Sequence, residues 1–288
     1  MVAARSGAGR RGGALLASAL LLAGVSLSFT GNPSASASAS ASASASAATV
    51  TTAAVAAGTG SLPVTTTGQS QVLAAAQQTA KVGAIFSSDT VSSGNHHCTA
   101  SVVDSPAGDV IVTAAHCLSS GSGSGAVFVP GYRDGTAPNG VWQITQVLED
   151  SSWTADGDQD NDVAFALVAP QGGRSLESAV GGGYTLSTAG TTAATVQLTG
   201  YPGQTDEPIT CTGVASAYSG TQLVVDCTAF TDGTSGTAWV ASYDPGADSG
   251  SIIGVIGGYQ QGGDSADTSY SIVFGSAAAS LYAEALAG

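Results

Sequence analysis

The sequence predicts an all-β domain, and three observations carry that expectation. Short β-branched or aromatic runs recur in two series of six. The first lies at residues 82–86, 100–103, 110–113, 126–129, 143–147 and 163–168, and the second at 195–198, 209–215, 222–226, 238–242, 252–256 and 269–273. Each run is bounded by Gly, Asp, Ser or Asn, and glycine supplies 40 of the 288 residues, the pattern of short strands joined by tight turns in a barrel or sandwich. Helical composition is convincing late in the chain only at residues 276–286, where alanines, Leu281 and Glu284 predict a short C-terminal helix.

The chain before these runs reads differently. Arg5, Arg10 and Arg11 precede an apolar run at residues 14–29 and then Ala-x-Ala sites, the signature of a secretory signal peptide. Alternating Ser and Ala follow, so residues 1–47 are a signal peptide and low-complexity segment. A Thr/Ala/Gly-rich stretch continues to residue 79 with too little bulky apolar surface to offset a backbone entropy cost of about 1–2 kcal/mol per residue. Residues 48–79 are therefore expected to be a pro-region or linker, and residues 80–288 the folded domain. If residues 48–79 inhibit the domain, the secreted protein is a zymogen whose activity appears on trimming.

Charge shifts at the same place. All 20 acidic residues lie at Asp89 or later, against only Lys81, Arg133 and Arg174, which gives this part a formal net charge of −17. Such a surface repels nucleic acid and anionic membranes, so neither is an expected partner. No apolar run is long enough to span a bilayer, and the product is expected to be extracellular and monomeric.

Four cysteines in a secreted chain are expected to pair, and arithmetic allows three pairings. Sequence neighbours give Cys98–Cys117 and Cys211–Cys227, each clipping a hairpin. A loop of that size stabilises by about 3 kcal/mol on the chain-entropy model. No Cys-x-x-Cys or His-x-x-x-His spacing exists to suggest zinc, so no metal or cofactor is implied. The alternating acids at residues 156–162 fail the calcium-loop pattern, because its sixth position is Asn161 and its twelfth is Leu167. They read as a solvated loop. Trp142, Trp153 and Trp239 read as packing residues rather than a ligand platform.

Chemistry concentrates at three places. Thr113-Ala114-Ala115-His116-Cys117 ends the run 110–113, Asp162 immediately precedes the run 163–168, and Ser235 sits in Asp232-Gly233-Thr234-Ser235-Gly236. A serine hydroxyl needs a base to take its proton, and an imidazole with an ordinary pKa near 6.5 suits that task. Among His96, His97 and His116 only the last follows a predicted strand beside a cysteine. Asp162 is the candidate orienter of that imidazole. Glycine at 233 permits a backbone geometry in which its own N–H and that of Ser235 face one developing oxyanion.

Read along the chain, these residues give the order His, Asp, Ser. With Val82-Gly83-Ala84-Ile85-Phe86, Val129-Pro130-Gly131-Tyr132-Arg133-Asp134-Gly135, Cys211-Thr212-Gly213 and Asp226-Cys227, the chain resembles the trypsin-like (chymotrypsin-fold) superfamily of serine endopeptidases. Within it the chain looks like the bacterial glutamyl endopeptidase branch, across roughly residues 80–275. The resemblance implies two six-stranded antiparallel β-barrels, about residues 80–170 and 183–275, with the site between them. It implies peptide-bond hydrolysis through an acyl-enzyme, with His116, Asp162 and Ser235 catalytic and Gly233 and Ser235 donating to the oxyanion. By position, Ala229 would lie at the base of the specificity pocket, with Gly257, Gly258 and Tyr259 in its wall.

Two departures shape the expectation. Thr234 stands where trypsin carries the aspartate that captures a new N-terminus, so that activation route is missing. No histidine follows His116, so the expected substrate residue before the cut is apolar or small rather than Glu. The rival reading is a catalytically silent domain of the same fold that binds extracellular proteins. An α/β-hydrolase esterase is disfavoured, because both Gly-x-Ser-x-Gly and a histidine after the serine are missing.

Overall fold

The structure is a computed structural model that describes residues 68–118 and 125–288; the expected signal peptide and Ser/Ala segment and residues 48–67 of the expected pro-region lie outside the described residues. After a two-residue strand β1 (Gln71–Val72), six strands form a closed barrel: β2 (Val82–Phe86), β3 (His96–Val103), β4 (Val110–Thr113), β5 (Val127–Pro130), β6 (Trp142–Glu149) and β7 (Ala164–Val168). Their order around it is β2-β3-β4-β7-β6-β5, antiparallel throughout. Five of these strands are buried almost throughout because both faces are covered, while β6 alternates, with Gln143, Thr145 and Gln146 exposed. On β2, Ile85 faces the barrel interior with Ala100, Ile111 and Phe128, while Ala84 and Phe86 join a second core that reaches Tyr201, Val240 and Val255 of the other half. Strand β7 divides likewise, with Ala164 and Ala166 inward and Phe165 outward, as the period-2 geometry of a strand requires.

The second half contains β8 (Thr185–Leu186), β9 (Ala194–Gly200), β10 (Ile209–Ala217), β11 (Gln222–Asp226), β12 (Ala238–Asp244), β13 (Ser249–Val255) and β14 (Thr268–Ile272). They run in the order β14-β11-β10-β9-β12-β13-β8, with β1 paired to β10. Six of them are the expected strands of the second barrel. Its two ends are not joined by a strand ladder. They meet instead where Gly257 N donates to the Tyr270 carbonyl at 3.0 Å and Val255 N to Ser271 Oγ at 2.9 Å. The interior packs Val196, Leu198, Leu223, Trp239 and Ile253 around Cys211 and Cys227.

All twelve predicted strands are present. Helix α3 (Ser276–Ala285) is the predicted C-terminal helix, and its Ala278, Leu281 and Ala285 pack into the core shared by the two halves. Two short helices were not foreseen: α1 (Ser151–Asp156), capped by the Asp150 carboxylate on Ser152 N, and α2 (Leu176–Val180), capped by Ser175. The disulfides are Cys98–Cys117 and Cys211–Cys227, the sequence-neighbour pairing. All three tryptophans are buried. In the acidic loop, Asp158 accepts from Asp160 N and Asn161 Nδ2, and Asp160 accepts from Thr221 and Gln222. Among the described residues, no three acids of this loop converge as metal ligands would.

The fold begins earlier than the expected boundary at residue 80. From Gly68 to Thr79 the chain lies along the second half, with Gly68 N donating to Thr212 O, Thr228 N to Gly68 O and Leu73 N to Pro208 O. Leu73 is buried, and its carbonyl accepts from Arg133 Nη1 at 2.8 Å. Gln78 donates to Tyr132 O and Tyr201 Oη, one partner from each half. The pro-region or linker expected at residues 48–79 therefore does not extend to 79 as a free segment, because residues 68–79 pack as part of the fold. A chain that starts at Ala80 loses the burial of Leu73, about 2 kcal/mol, together with the β1 pairing. Its melting temperature is expected to be about 5 °C below that of a chain starting at Gly68, read by thermal unfolding. Equal melting temperatures would show that the segment contributes nothing to the fold.

Candidate active site

His116 is presented by a short turn. Strand β4 ends at Thr113, Ala114 remains extended, and Ala115–Cys117 form one 3-10 turn closed by Cys117 N donating to Ala114 O and Leu118 N to Ala115 O. Ala114 and Ala115 are buried, which leaves no room for larger side chains, and Cys98–Cys117 ties the turn to β3. The two sulfurs and His116 lie close enough to share a metal, but a disulfide offers no thiolate.

Asp162 reaches the imidazole from the start of β7 and is fully buried. A carboxylate out of water is costly unless its oxygens are matched by donors. Three N–H groups meet it. His116 N donates to Oδ1 at 3.0 Å, His116 Nδ1 donates to Oδ2 at 2.8 Å, and Gly258 N donates to Oδ2 at 2.9 Å. Gly257 allows this approach, since a Cβ there would stand 2.8 Å from Asp162 O and 3.1 Å from Oδ2. With Nδ1 bonded to a carboxylate the ring proton is assigned to Nδ1, which leaves Nε2 as a lone pair.

The Ser235 loop is held by backbone bonds. Ser235 O accepts from Thr99 N at 2.8 Å, and Gly236 N donates to Ile256 O at 2.7 Å. Gly236 has φ +82°, and a Cβ there would overlap Thr113 Oγ1 and Thr99 O. Gly233 has φ +94°, and a Cβ there would overlap Gly203 N and stand 2.7 Å from Tyr201 O. Further carbonyls of the loop are pinned, among them Asp232 O by Gly203 N at 2.6 Å, and Thr234 O by Thr237 N at 3.0 Å and Thr237 Oγ1 at 2.6 Å. In a trans peptide N–H and C=O point in opposite directions. The Gly233 N–H is thereby turned away from Gly203, and the Ser235 N–H away from Thr237. Among the described residues neither N–H has a protein acceptor.

His116, Gly233 and Ser235 line one cleft of about 700 Å³. Its other walls include His97, Phe230, Ile256 and residues 260–266. The four residues expected to form the specificity pocket are elsewhere. Ala229 is exposed, with its N–H on Asp267 Oδ1; Gly257 and Gly258 back Asp162; and Tyr259 packs against Tyr218 and Tyr270 at 5.2 and 5.0 Å between ring centres. In the 3-10 turn that follows Gly258, Gln260 and Gln261 both adopt φ +53°. The neighbouring Phe230 and residues 260–266, which sequence reasoning did not single out, line the cleft instead. His97, also missed, lies directly before Cys98, and its Nε2 bonds Cys117 O at 3.1 Å.

The family model described as Trypsin matches residues 74–221, just over half of the chain. The chain belongs to the trypsin family. Membership makes it a serine-type peptidase, and the substrates of such a fold are proteins or peptides. Among solved structures, this trypsin-family chain is similar to protease Anisep from Arthrobacter nicotinovorans, at 25% identity over 76% of this chain and 100% of that one, with a TM-score of 0.64. A thermostable serine protease, AL20, from an extremophilic microorganism is also 25% identical, over 74% of this chain and 99% of that one, with a TM-score of 0.62. A Glu endopeptidase shares the fold at 18% identity, 76% and 97% coverage and a TM-score of 0.58. No curated protein is significantly similar in sequence. Among the described residues no helix is long and apolar enough to cross a membrane.

The segment that pins Asp232 also shields His96. This side chain has no solvent exposure. It sits among Phe86, Tyr132 and Tyr201, with Nε2–H donating to Pro202 O at 3.2 Å and Nδ1 unpaired, 3.9 Å from Asp206 Oδ1. Burial lowers its pKa; the Pro202 carbonyl and Asp206 oppose that effect, and His97 adds to it. The neutral ring is thus favoured in the fold, so its contribution is present above the unfolded value near 6.5 and is lost as pH falls through the folded one. The melting temperature is expected to drop between pH 7.5 and 5.5, and by less in His96→Gln, which keeps a donor for Pro202. Equal pH dependence in both proteins would contradict this.

Proposed function

We propose that the protein is a secreted serine endopeptidase that hydrolyses peptide bonds through an acyl-enzyme. One observation carries the reading. A buried carboxylate fixes His116 with its Nδ1 proton bound, and that imidazole lines the same cleft as Ser235 and as two backbone N–H groups that have no protein acceptor among the described residues.

His116 Nε2 takes the Ser235 Oγ proton as Oγ attacks the substrate carbonyl, and Asp162 stabilises the imidazolium that forms. The negative charge that develops on the carbonyl oxygen is met by Gly233 N–H and Ser235 N–H. The imidazolium then gives its proton to the departing amine. A water molecule, deprotonated by the same ring, attacks the acyl carbonyl; the bond to Ser235 Oγ breaks, the ring returns the proton to Oγ, and the acyl group leaves as the acid product. The residues of this cycle need no metal or cofactor.

The cleft is lined by Asp232 and Asp264, by Phe230 and Ile256, and by no Lys or Arg among the described residues. With no Lys or Arg in its wall, and with burial holding the His97 imidazole toward its neutral form, the cleft offers no fixed cation to a glutamate, which supports an apolar or small residue before the cut. Secretion rests on the N-terminal pattern and on the two disulfides, which persist in oxidising compartments. Maturation is proposed ahead of Gly68 rather than at residue 80, since the later cut would strip β1 from β10.

A fluorophosphonate is expected to label Ser235 in the folded protein, with the modified peptide located by mass spectrometry. Ser235→Ala abolishes the label and lowers turnover by about six orders of magnitude. A trimmed, folded protein that takes no label would place the chain with catalytically silent, protein-binding copies of the fold.

A further inference from the structure

Thr99 does not line the cleft, yet it is the residue of the first barrel most engaged with the Ser235 loop. It lies on β3 beside Cys98 and is fully buried. Its Oγ1 donates to Gly233 O at 3.0 Å and accepts from Tyr201 N at 3.0 Å, while its backbone N donates to Ser235 O at 2.8 Å. Both capacities of the hydroxyl are spent on backbone groups of the second half. We propose that the Thr99 hydroxyl is a positioning element that sets the orientation of the oxyanion donor Gly233, a proposal that rests on the hydrolytic reading above.

Gly233 carries no side chain to restrict its backbone, so hydrogen bonds must fix the two peptides that flank it. The peptide 233–234 is held directly, through Thr99 Oγ1 on Gly233 O. The peptide 232–233 contains the donor N–H itself. It is held by Gly203 N on Asp232 O at 2.6 Å, and Gly203 lies two residues beyond Tyr201, whose N–H Thr99 Oγ1 receives. One hydroxyl thus fixes the first flanking peptide and anchors the segment that fixes the second. Should the 232–233 peptide turn over, Asp232 O would face the cleft where N–H is required, and a carbonyl lone pair would meet the developing oxyanion. Serine supplies the same two bonds as threonine. Valine fills the same volume and supplies neither, leaving Gly233 O and Tyr201 N buried without partners.

The test compares wild type, Thr99→Val and Thr99→Ser in peptide hydrolysis and in binding of a peptide boronate, a tetrahedral transition-state analogue. Thr99→Val is expected to lower kcat by at least about tenfold, toward the hundredfold that loss of an oxyanion donor costs, with KM within about threefold. Boronate affinity falls in parallel, and Thr99→Ser restores both to within about threefold. If Thr99→Val lowers only the melting temperature, while kcat and boronate affinity stay unchanged in the folded protein, the proposal is overturned. If Thr99→Val does not fold, Thr99→Ala against Thr99→Ser makes the same comparison. A wild-type protein that neither hydrolyses peptides nor takes label at Ser235 overturns the hydrolytic reading instead.

Discussion

The Asp162 carboxylate is shut away from solvent and receives N–H groups from both halves of the molecule, two from His116 and one from Gly258. Much of the surrounding structure follows from the need to satisfy it. Its oxygens cannot be solvated, so the turn at Ala115–Cys117 must deliver both the backbone N–H and the ring N–H of one residue to the same carboxylate. The chain after β13 must come close enough for Gly258 N to complete the set, which is why residue 257 cannot carry a side chain. Breaking any of these contacts leaves buried polar groups unmatched, at a cost of about 1–3 kcal/mol each and more where charge is involved.

The nucleophile loop obeys a related constraint with the sign reversed. There the groups proposed to act are the Gly233 and Ser235 N–H donors, which have no protein acceptor among the described residues, and the protein leaves them so by binding the carbonyls on the opposite side of the same peptides. Asp232 O, Gly233 O, Thr234 O and Ser235 O all have donors, drawn from Gly203, Thr99 and Thr237. Gly233 and Gly236 adopt positive φ where a Cβ would collide with Gly203 and Thr99. Preorganisation of this kind is built into the folded state, so little reorganisation is left for the moment of reaction.

The strands were legible because each is a β-branched or aromatic run between turn residues, continuous where both faces are buried, as in β2, β4, β5 and β7, and alternating where one face is more exposed, as in β6 and β9. His116, Asp162 and Ser235 were legible for a different reason. Each sits at a strand end or turn with distinctive neighbours, and the structure brings His116 and Asp162 into contact and His116 and Ser235 into one cleft. Strands β1 and β8, two residues each, have no periodicity to read; they exist because an adjacent edge offers them partners. The same holds for residues 68–79, whose composition is that of a linker and whose order comes from bonds to Thr212, Thr228 and Arg133. Helices α1 and α2 did leave a signal, a capping Asp or Ser at one end and glycine at the other, but their single turns are too short for apolar spacing to register. The cleft wall at residues 260–266 left no such signal, because Gln260 and Gln261 adopt a left-handed conformation that ordinary residues seldom enter.

The central claim is that Ser235, His116 and the two N–H groups converge on one reacting carbonyl. A crystal structure of the protein treated with a peptidyl phosphonate tests this most directly. The account predicts phosphorus bonded to Ser235 Oγ, its oxygen about 3 Å from both Gly233 N and Ser235 N, and the His116–Asp162 bond retained. A phosphonyl oxygen turned to solvent, or an adduct on any other residue, would contradict it.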